Sequence, residues 1–491
     1  MSAMSLTELA KRARALFNFE RTFVCAVLLI VSWQLFFPPV LGLADNGDYA
    51  RLMVHFDLTH AATDWGERYF GFIDRHYLVN AVEARKYSIP GFISSEMIFV
   101  GVASGVGRAL GSTSFDLLYL GAVHVLALAA SVFLLLLCTR AFVSRTRTIA
   151  LILGTVVFTD IAYIAYFNSF YSESATLLFF VMTAACAYGV MSTDRQRIAW
   201  LLAYFASASA FLLAKYQNIV LLPVFLLFGG LLVKRWGEIR HFYAYLFFAV
   251  VASYVGYLHF ISSPDAIDEA VLYNSVFNGI LMDSPTASDD LAALGLDRGL
   301  ARYAGSTAFQ PDSPRFNPEF LRRFRETVTI GTLFRFYLVR PGRLLSALDR
   351  AVKFAFQTRP TLGNYEKASG RPPRSLSRSW AMWSTVRSGA LPRNLWFTVA
   401  IAILYLGWLS RRWLHAKDGL TRLNLEWSAL IPVMALAQLV VITVSDGISD
   451  LIKHAYLFNL LVDYMLVALF ASLLAWLFNT PKNQPAGEEA G

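Results

Sequence analysis

Long apolar segments separated by short polar turns are the dominant pattern along this chain. A helix needs about 20 apolar residues to cross a bilayer, and it satisfies its own backbone hydrogen bonds in lipid. The pattern therefore predicts an all-α polytopic membrane protein with about 10 to 11 transmembrane helices. The predicted spans are residues 23–43, 117–138, 148–167, 174–192, 199–214, 217–233, 242–261, 395–411, 428–445 and 456–478.

One further segment, residues 89–110, leaves the topology open because it contains Pro90, Glu96 and Arg108. If this segment crosses the membrane, the basic turn at residues 140–147 is forced outside; a re-entrant or interfacial helix would keep it inside. Basic residues favour the cytoplasmic side of a membrane. They precede the first span and occupy the turns at 140–147, 195–197, 234–240 and 411–417, so we expect both termini to be cytoplasmic.

Composition strengthens the membrane assignment, since 56% of the residues are hydrophobic and only 16% are charged. The formal net charge of +9 comes from basic residues at span ends and in one large loop. This distribution indicates topology and anion binding, and nucleic acid is not an expected partner. The three cysteines lie in or beside apolar segments and predict no disulfide or metal cluster. We expect a multi-pass protein of the bacterial inner membrane.

The hydrophilic stretches divide the chain into three parts. Residues 1–261 form an N-terminal membrane module, whose first outer loop, 44–88, is rich in aromatic and charged residues and predicts interfacial helices. Residues 262–394 form a large extracytoplasmic loop that is acidic first and basic afterwards, with helical amphipathic spacing at 320–356. Its arginines could bind anionic lipid or a substrate phosphate. Residues 395–491 contain the last spans and a short cytoplasmic tail.

Four groups of polar residues are predicted to meet on the outer face of the membrane. Ionisable groups at the mouths of spans are costly unless they pair, contact water or bind a ligand. Their convergence is the main indication of a functional site. The groups are Asp45, Asp48 and Arg51; residues 168–173; residues 215–218; and residues 445–450 with Lys453 and His454.

Each group also has a purely structural interpretation. Asp45 and Asp48 have the spacing of an N-cap and N3 pair at a helix start. Glu173 could be a solvated carboxylate stabilised by a helix dipole, and Lys215 could extend to the interface. Lys453 and its neighbours could form ion pairs within an ordinary external turn.

The combination of carboxylates, aromatic residues and cations fits sugar transfer from a polyprenyl-phosphate donor to a cell-envelope glycan or lipid-linked acceptor. A base must take the proton of the acceptor hydroxyl, and cations must offset the charge of the leaving phosphate. Asp48 is the expected base, because it lies one turn further from the membrane than Asp45. Asp45 and Glu173 are expected to hold the acceptor or a divalent metal, Mg or Mn. The candidate phosphate and substrate contacts are Arg51, Lys353, Lys453, His454, Asn168, Tyr171, Lys215, Gln217 and Asp446.

Several short motifs resemble the WsfD-type glycan-biosynthesis hexose transferases, which are similar in layout to the GT-C glycosyltransferases. The motifs are residues 45–49, 166–173, 272–280, Asp446 with Gly447, and 453–459, and the resemblance extends over about residues 20 to 478. It implies a multispan fold, an active site at the outer leaflet and a lipid-linked sugar donor. The catalytic acidic residue of GT-C enzymes would correspond to Asp45 or Asp48, and a second acidic residue to Glu173.

Two other classes of protein remain as alternatives. A transporter or flippase of lipid-linked glycans would use the same charged cavity without making bonds, and should show related halves and discontinuous helices near the midplane. A structural partner in an envelope complex would need no convergent carboxylates. For the enzyme, a one-step displacement with a single base predicts inversion at the anomeric carbon.

Overall fold

The computed structural model describes residues 19–86, 92–140, 144–193, 196–236, 238–261 and 265–478. Within those ranges the protein is an all-α polytopic membrane protein, as the apolar pattern predicted. The predicted basic cluster before the first span at residues 11–14, residues 89–91, Arg195 and the predicted tail from residue 479 lie outside the described residues.

Twenty-two α-helices occur in the described ranges. The first twelve are α1 (Phe19–Phe36), α2 (Ala50–Met53), α3 (Trp65–Arg68), α4 (Ala81–Lys86), α5 (Glu96–Ala109), α6 (Leu117–Cys138), α7 (Arg145–Phe158), α8 (Ile161–Ile164), α9 (Glu173–Ser192), α10 (Arg197–Leu212), α11 (Leu222–Trp236) and α12 (Ile239–Ile261). The others are α13 (Asp265–Ser275), α14 (Ala287–Ala293), α15 (Pro318–Thr327), α16 (Ile330–Leu338), α17 (Pro341–Ala355), α18 (Met382–Gly389), α19 (Leu395–His415), α20 (Gly419–Val444), α21 (Leu451–His454) and α22 (Tyr456–Leu477).

Helices occupy all ten positions at which the sequence predicts a span, but the first span ends at Phe36, so the predicted end at residue 43 was wrong. Seven of them are long and apolar enough to cross a membrane: α1, α6, α9, the 3₁₀ turn at Tyr216–Leu221 together with α11, α12, α20 and α22. An eighth span results if α7 and the segment Ile161–Asn168 count as one, although they bend by 63° at their junction. Of the other two, α10 has only 16 residues, and α19 carries basic residues in its last turn.

Side chains fix where several of these helices begin. Asp116, Ser144, Asn394 and Asp418 each precede a helix and accept a hydrogen bond from a backbone N–H of its first turn. Such N-caps satisfy donors that have no partner within the helix. The capping side chains therefore mark the starts of α6, α7, α19 and α20.

Contacts at the helix ends define two faces of the bundle. Glu20, at the start of α1, pairs with Arg140 after the end of α6, and Arg145 donates a hydrogen bond to the carbonyl of Phe478. We call this face the turn face, because its connections are short. The other face, the loop face, carries residues 37–86, 265–394 and 445–455. Both described ends of the chain, near Glu20 and Phe478, lie on the turn face.

The described part of the segment that left the topology open, residues 92–110, does not cross the bundle. The N–H of Ser95, just before α5, donates to the carbonyl of Leu213, which lies at the loop face. At the other end of α5, a Cβ added at Gly107 would lie 3.2 Å from the ring of Tyr119, which is in the first turn of α6. Both ends of this 14-residue helix thus lie at the loop face, as the interfacial alternative required.

The first outer loop contains a small sheet that the sequence did not predict. Its antiparallel strands are β1 (Leu58–His60), β2 (His76–Val79) and β3 (Ser114–Asp116), in that order. Tyr77 pairs with His60 on one side and with Phe115 on the other. The expectation of helices alone in this loop was therefore incomplete, because pairing with the distant β3 decides the structure.

Acidic and basic halves of the large loop pair with each other. Arg325 bonds Asp265 and Glu269, and Arg343 bonds Asp290. The rings of Tyr273, Phe277, Phe320 and Phe324 form a separate core for this loop. These arginines thus serve the fold of the loop, which reduces the number left for lipid or phosphate.

The segment around α18 enters the bundle and fills the bend between α7 and α8. Asp160, at the bend, accepts a hydrogen bond from the N–H of Ser384 at 3.0 Å, and Thr159 accepts one from the Trp380 indole at 2.8 Å. One turn further, Arg387 pairs with Asp463 of α22. We call Tyr163, Trp383, Arg387, Asn459 and Asp463 the core cluster.

Candidate functional site

Asn168 fastens the first outer loop to the bundle. Its amide nitrogen donates to the carbonyls of Leu35 at 3.0 Å and Leu41 at 2.7 Å, and its side chain is fully buried. Gly121 of α6 leaves the space that this side chain occupies, because a Cβ there would lie 1.9 Å from the Asn168 Oδ1. Asn168 was predicted to contact substrate, but the structure places it in a supporting position.

Asp45 shapes the turn that follows. One of its carboxylate oxygens accepts the N–H groups of Gly47 at 2.7 Å and Tyr49 at 3.1 Å. Gly47 has φ +104°, a conformation that side chains other than glycine rarely adopt. The side chain of Asp45 is only 2% exposed. Asp45 therefore fixes the backbone that presents Asp48. The N-cap and N3 pair considered for Asp45 and Asp48 is not formed, because α2 begins at Ala50 and Tyr49 occupies its N-cap position.

The second oxygen of Asp45 begins a chain of three side chains. His60 Nε2 lies 3.0 Å from Asp45, and His60 Nδ1 lies 2.7 Å from Asp74. Burial opposes a charged imidazole, but the hydrogen bonds to both carboxylates outweigh it and raise the pKa of His60 to about 9. Burial also raises the pKa of Asp45. At neutral pH the imidazolium of His60 therefore connects the buried carboxylate of Asp45 to the carboxylate of Asp74, whose side chain is 24% exposed.

The Asp48 carboxylate contacts a different set of residues from Asp45. One oxygen lies 2.7 Å from the Arg51 guanidinium, and the other accepts a hydrogen bond from Lys453 of α21. Although burial raises the pKa of Asp48, the positive charges of Arg51 and Lys453 hold that pKa well below its usual range. The Asp48 side chain remains 22% exposed and the Arg51 side chain 26% exposed. Both groups are therefore within reach of a ligand at the loop face.

Lys453 is the buried cation at the centre of the site. Its ammonium lies 3.4 Å from Asp450 and 5.0 Å from the centre of the Tyr171 ring, and its side chain is 2% exposed. Burial lowers the pKa of Lys453, but the charges of Asp450 and Asp48 outweigh burial and raise it above its ordinary value. We call Asp48, Arg51, Asp450 and Lys453 the loop-face cluster.

Two neighbouring residues hold the loop-face cluster in place. Asn46 donates its amide to Asp450. The Tyr171 hydroxyl accepts the N–H of Asn46 at 2.9 Å and donates to the carbonyl of Ala44 at 2.8 Å. The turn after the first span and the turn before the last span are thus joined by side chains about 400 positions apart in sequence.

Glu173 and Lys215 form a buried ion pair beside this cluster, at 2.6 Å. The negative charge of Glu173 also favours the charged form of Lys453. Gln217, two residues after Lys215, donates to the carbonyl of His454 at 2.9 Å. The structure therefore brings the predicted polar groups of these three turns together around α21.

Asp446 and His454 lie at the border between the bundle and the large loop. The Asp446 carboxylate accepts the amide of Asn274 at 2.6 Å and lies 3.5 Å from His454 Nε2. Lys353, by contrast, is not brought to the site. It lies on α17, 59% exposed, and pairs with Asp349 one turn away at 2.8 Å.

One family model matches almost the whole chain. The model is described as the YfdI N-terminal transmembrane domain and covers residues 7–488. The chain belongs to this family. No match was found among curated proteins or among solved structures. Membership of the YfdI N-terminal transmembrane domain family supports the multi-pass membrane assignment, and the resemblance to hexose transferases remains an inference from the motifs.

The sequence analysis did not identify His60, Asp74 or Asn46 as residues of this site. His60 and Asp74 lie in the first outer loop, 14 positions apart, and only the sheet brings them to Asp45. No local spacing signals this contact. Asn46 stands between the two predicted carboxylates, and its contact with Asp450 depends on the packing of the last span.

The site does not fit the expected divalent metal. Among the described residues, no group of three or more His, Cys, Asp or Glu side chains is arranged to hold a metal ion. Asp45 is occupied by two N–H groups and His60, and Glu173 by Lys215. Between Asp48 and Asp450, the cation is the ammonium of Lys453.

Proposed function

We propose that this protein is an integral-membrane glycosyltransferase of GT-C-like layout. It transfers a hexose from a polyprenyl-phosphate-linked donor to a cell-envelope glycan or lipid-linked acceptor at the loop face. In this proposal the loop face is the extracytoplasmic side of a bacterial inner membrane. The observation that carries the proposal is the partly exposed Asp48, which lies between the cations of Arg51 and Lys453.

The two cations have the chemistry that a donor phosphate requires. Arg51 offers a guanidinium at the surface of the site, and Lys453 offers an ammonium held by two carboxylates. As the bond between the anomeric carbon and the phosphate oxygen breaks, negative charge grows on the leaving polyprenyl phosphate. Cations fixed in advance stabilise that charge without reorganising during the reaction.

Asp48 is the proposed general base, and the donor itself would activate it. In the resting protein, the low pKa of Asp48 makes it a weak base. A phosphate that binds Arg51 and Lys453 draws positive charge away from Asp48, which raises its pKa towards the ordinary range. Asp48 then takes the proton of the acceptor hydroxyl while that oxygen bonds to the anomeric carbon from the side opposite the phosphate. This single displacement inverts the anomeric configuration.

Asp45 acts as a positioning residue in this scheme, because its buried carboxylate does not reach the substrate. It orients the turn that carries Asp48, and its second oxygen is held by a hydrogen bond to His60. Glu173 is also a positioning residue, because its ion pair holds Lys215 in place at the neighbouring turn.

The test is sugar transfer by purified protein in lipid, with a panel of radiolabelled polyprenyl-phosphate hexoses. Asp48→Asn should reduce turnover at least about a hundredfold while the protein stays folded. Asp64→Asn is the matched control, because Asp64 caps α3 in the same loop and asparagine caps as well as aspartate. Transfer by Asp48→Asn at the wild-type rate would exclude Asp48 as base, and a product with retained configuration would exclude the single displacement.

One observation favours the flippase alternative. The bent pair formed by α7 and Ile161–Asn168 is a discontinuous span, a feature common in transporters. Its bend, however, is filled by Trp380 and Ser384, whereas Asp48 and Arg51 of the loop-face cluster are partly exposed. Movement of lipid-linked glycan across the bilayer, with no transfer from any donor, would favour the flippase.

A further inference from the structure

A cavity of about 630 Å³ lies between α19 and α22 near the turn face, on the side of the bundle opposite the loop-face cluster. The two helices run in the same direction and pack against each other, and the cavity lies between their last turns. On α19 its wall follows the spacing i, i+3, i+4, i+7, which is one stripe of a helix. The residues of this stripe are Trp408, Arg411, Arg412 and His415.

The facing wall on α22 has the same spacing but a different character. Its residues are Leu469, Ser472, Leu473 and Trp476. Three of these are apolar, so this wall suits a hydrocarbon chain. The Ser472 hydroxyl is buried, yet it has no hydrogen-bond partner among the residues that the structure describes.

The charge of the cavity is positive. No carboxylate lines it, and the Arg411 side chain forms no ion pair within the described ranges. The Arg412 guanidinium lies 5.2 Å from the centre of the Trp408 ring, which leaves its N–H groups available. His415 bonds the carbonyl of Arg411 through Nδ1 at 2.7 Å.

We propose that this cavity binds an anionic phospholipid from the leaflet at the turn face. The phosphate would bind Arg411 and Arg412, and an acyl chain would lie against Leu469 and Leu473. The volume is within the usual range for ligand pockets, about 300 to 1,000 Å³. Basic pockets between transmembrane helices bind anionic head groups. Free phosphate would leave the apolar wall uncovered, so a lipid is the occupant that matches both walls.

The test is native mass spectrometry of the full chain, titrated with phosphatidylglycerol or with phosphatidylcholine of the same acyl chains. The wild type should prefer phosphatidylglycerol by about tenfold or more, because each arginine near the head groups adds favourable energy. Arg411→Gln with Arg412→Gln should reduce this preference to about twofold or less. Lys417→Gln removes one positive charge from the same face, outside the cavity. This variant should keep the wild-type preference for phosphatidylglycerol.

A second variant tests the apolar wall with both arginines in place. Leu473→Trp fills the cavity and should weaken phosphatidylglycerol binding about as much as the double substitution does. Equal binding of both lipids by the wild type would overturn the proposal. It would also be overturned if Lys417→Gln lost as much of the preference for phosphatidylglycerol as the double variant does. Displacement of the lipid by millimolar inorganic phosphate would show a simple anion site and would also overturn it.

Discussion

The loop-face cluster and the core cluster both join a buried cation to a carboxylate. They differ in whether solvent or a ligand can reach the charged side chains. In the core cluster, Arg387 and Asp463 are fully buried. Asp463 also accepts the Tyr163 hydroxyl and the Trp383 indole, each at 2.6 Å. In the loop-face cluster, Asp48 and Arg51 remain partly exposed.

This difference separates a structural pair from a candidate site. Both terminal nitrogens of Arg387 have partners, from Asp463 and Asn459, and a ring of Phe356 lies 4.6 Å from the guanidinium. A ligand could enter only by breaking the packing of α18. In the loop-face cluster, two carboxylates pair with Lys453. A phosphate could therefore replace one of them while the other still pairs with the ammonium.

The largest effect on stability is expected in the core cluster. Asp463→Ala leaves the Arg387 charge buried and unpaired, which should lower the free energy of unfolding by about 3–5 kcal/mol. Thermal unfolding of purified protein in detergent measures the loss. The matched control is the double variant Arg387→Met with Asp463→Leu, which removes both charges and should recover most of the stability. If the single and double variants are equally unstable, packing rather than charge holds α18 in place.

The next effect concerns the support of the loop-face cluster and depends on pH. The pKa of His60 is raised from 6.5 to about 9, so its contribution is fully present below pH 6.5 and is lost as the pH rises through about 9. The stability lost over this range should be about 3 kcal/mol. Unfolding midpoints at pH 6 and pH 9.5 measure it.

His60→Asn is the comparison for that measurement. This variant lacks the titrating group, so the difference between the two midpoints should become smaller than in the wild type. An unchanged pH dependence in His60→Asn would assign the effect to other groups and would remove the charged link between Asp45 and Asp74.

These two clusters also show what a sequence can predict. The apolar pattern located the spans, because each span is recognised from its own residues. The positions of Asp48 and Lys453 at one face followed from counting spans. His60 with Asp45, and Arg387 with Asp463, depend on a sheet and on an entering segment that no local pattern signals. Likewise, Asn168 looked like a site residue because it is polar beside a span, but packing turned it towards the backbone of residues 35 and 41.

A smaller loss is expected where the first outer loop is fastened to the bundle. Gly121→Ala places a methyl group against the Asn168 amide, which cannot move without losing its bonds to Leu35 and Leu41. The free energy of unfolding should fall by about 1–3 kcal/mol. Gly105→Ala in α5 is the control, because its methyl group would meet no atom within 4 Å apart from the nearby backbone of its own helix. Equal stability of the two variants would show that Asn168 is not held tightly.

The smallest loss of stability is expected for Asp48→Asn in the loop-face cluster. The asparagine oxygen can still accept from Lys453 or Arg51, and Asp450 continues to balance the ammonium. The free energy of unfolding should therefore fall by only about 1–2 kcal/mol. Asp463→Asn, the same change in the core cluster, should cost more, because the buried Arg387 has no second carboxylate among the described residues. An Asp48→Asn protein that unfolds as readily as Asp463→Asn would mean that Asp48 holds the two turns together. Its charge would then serve the fold rather than a ligand, and the distinction between the two clusters would not hold.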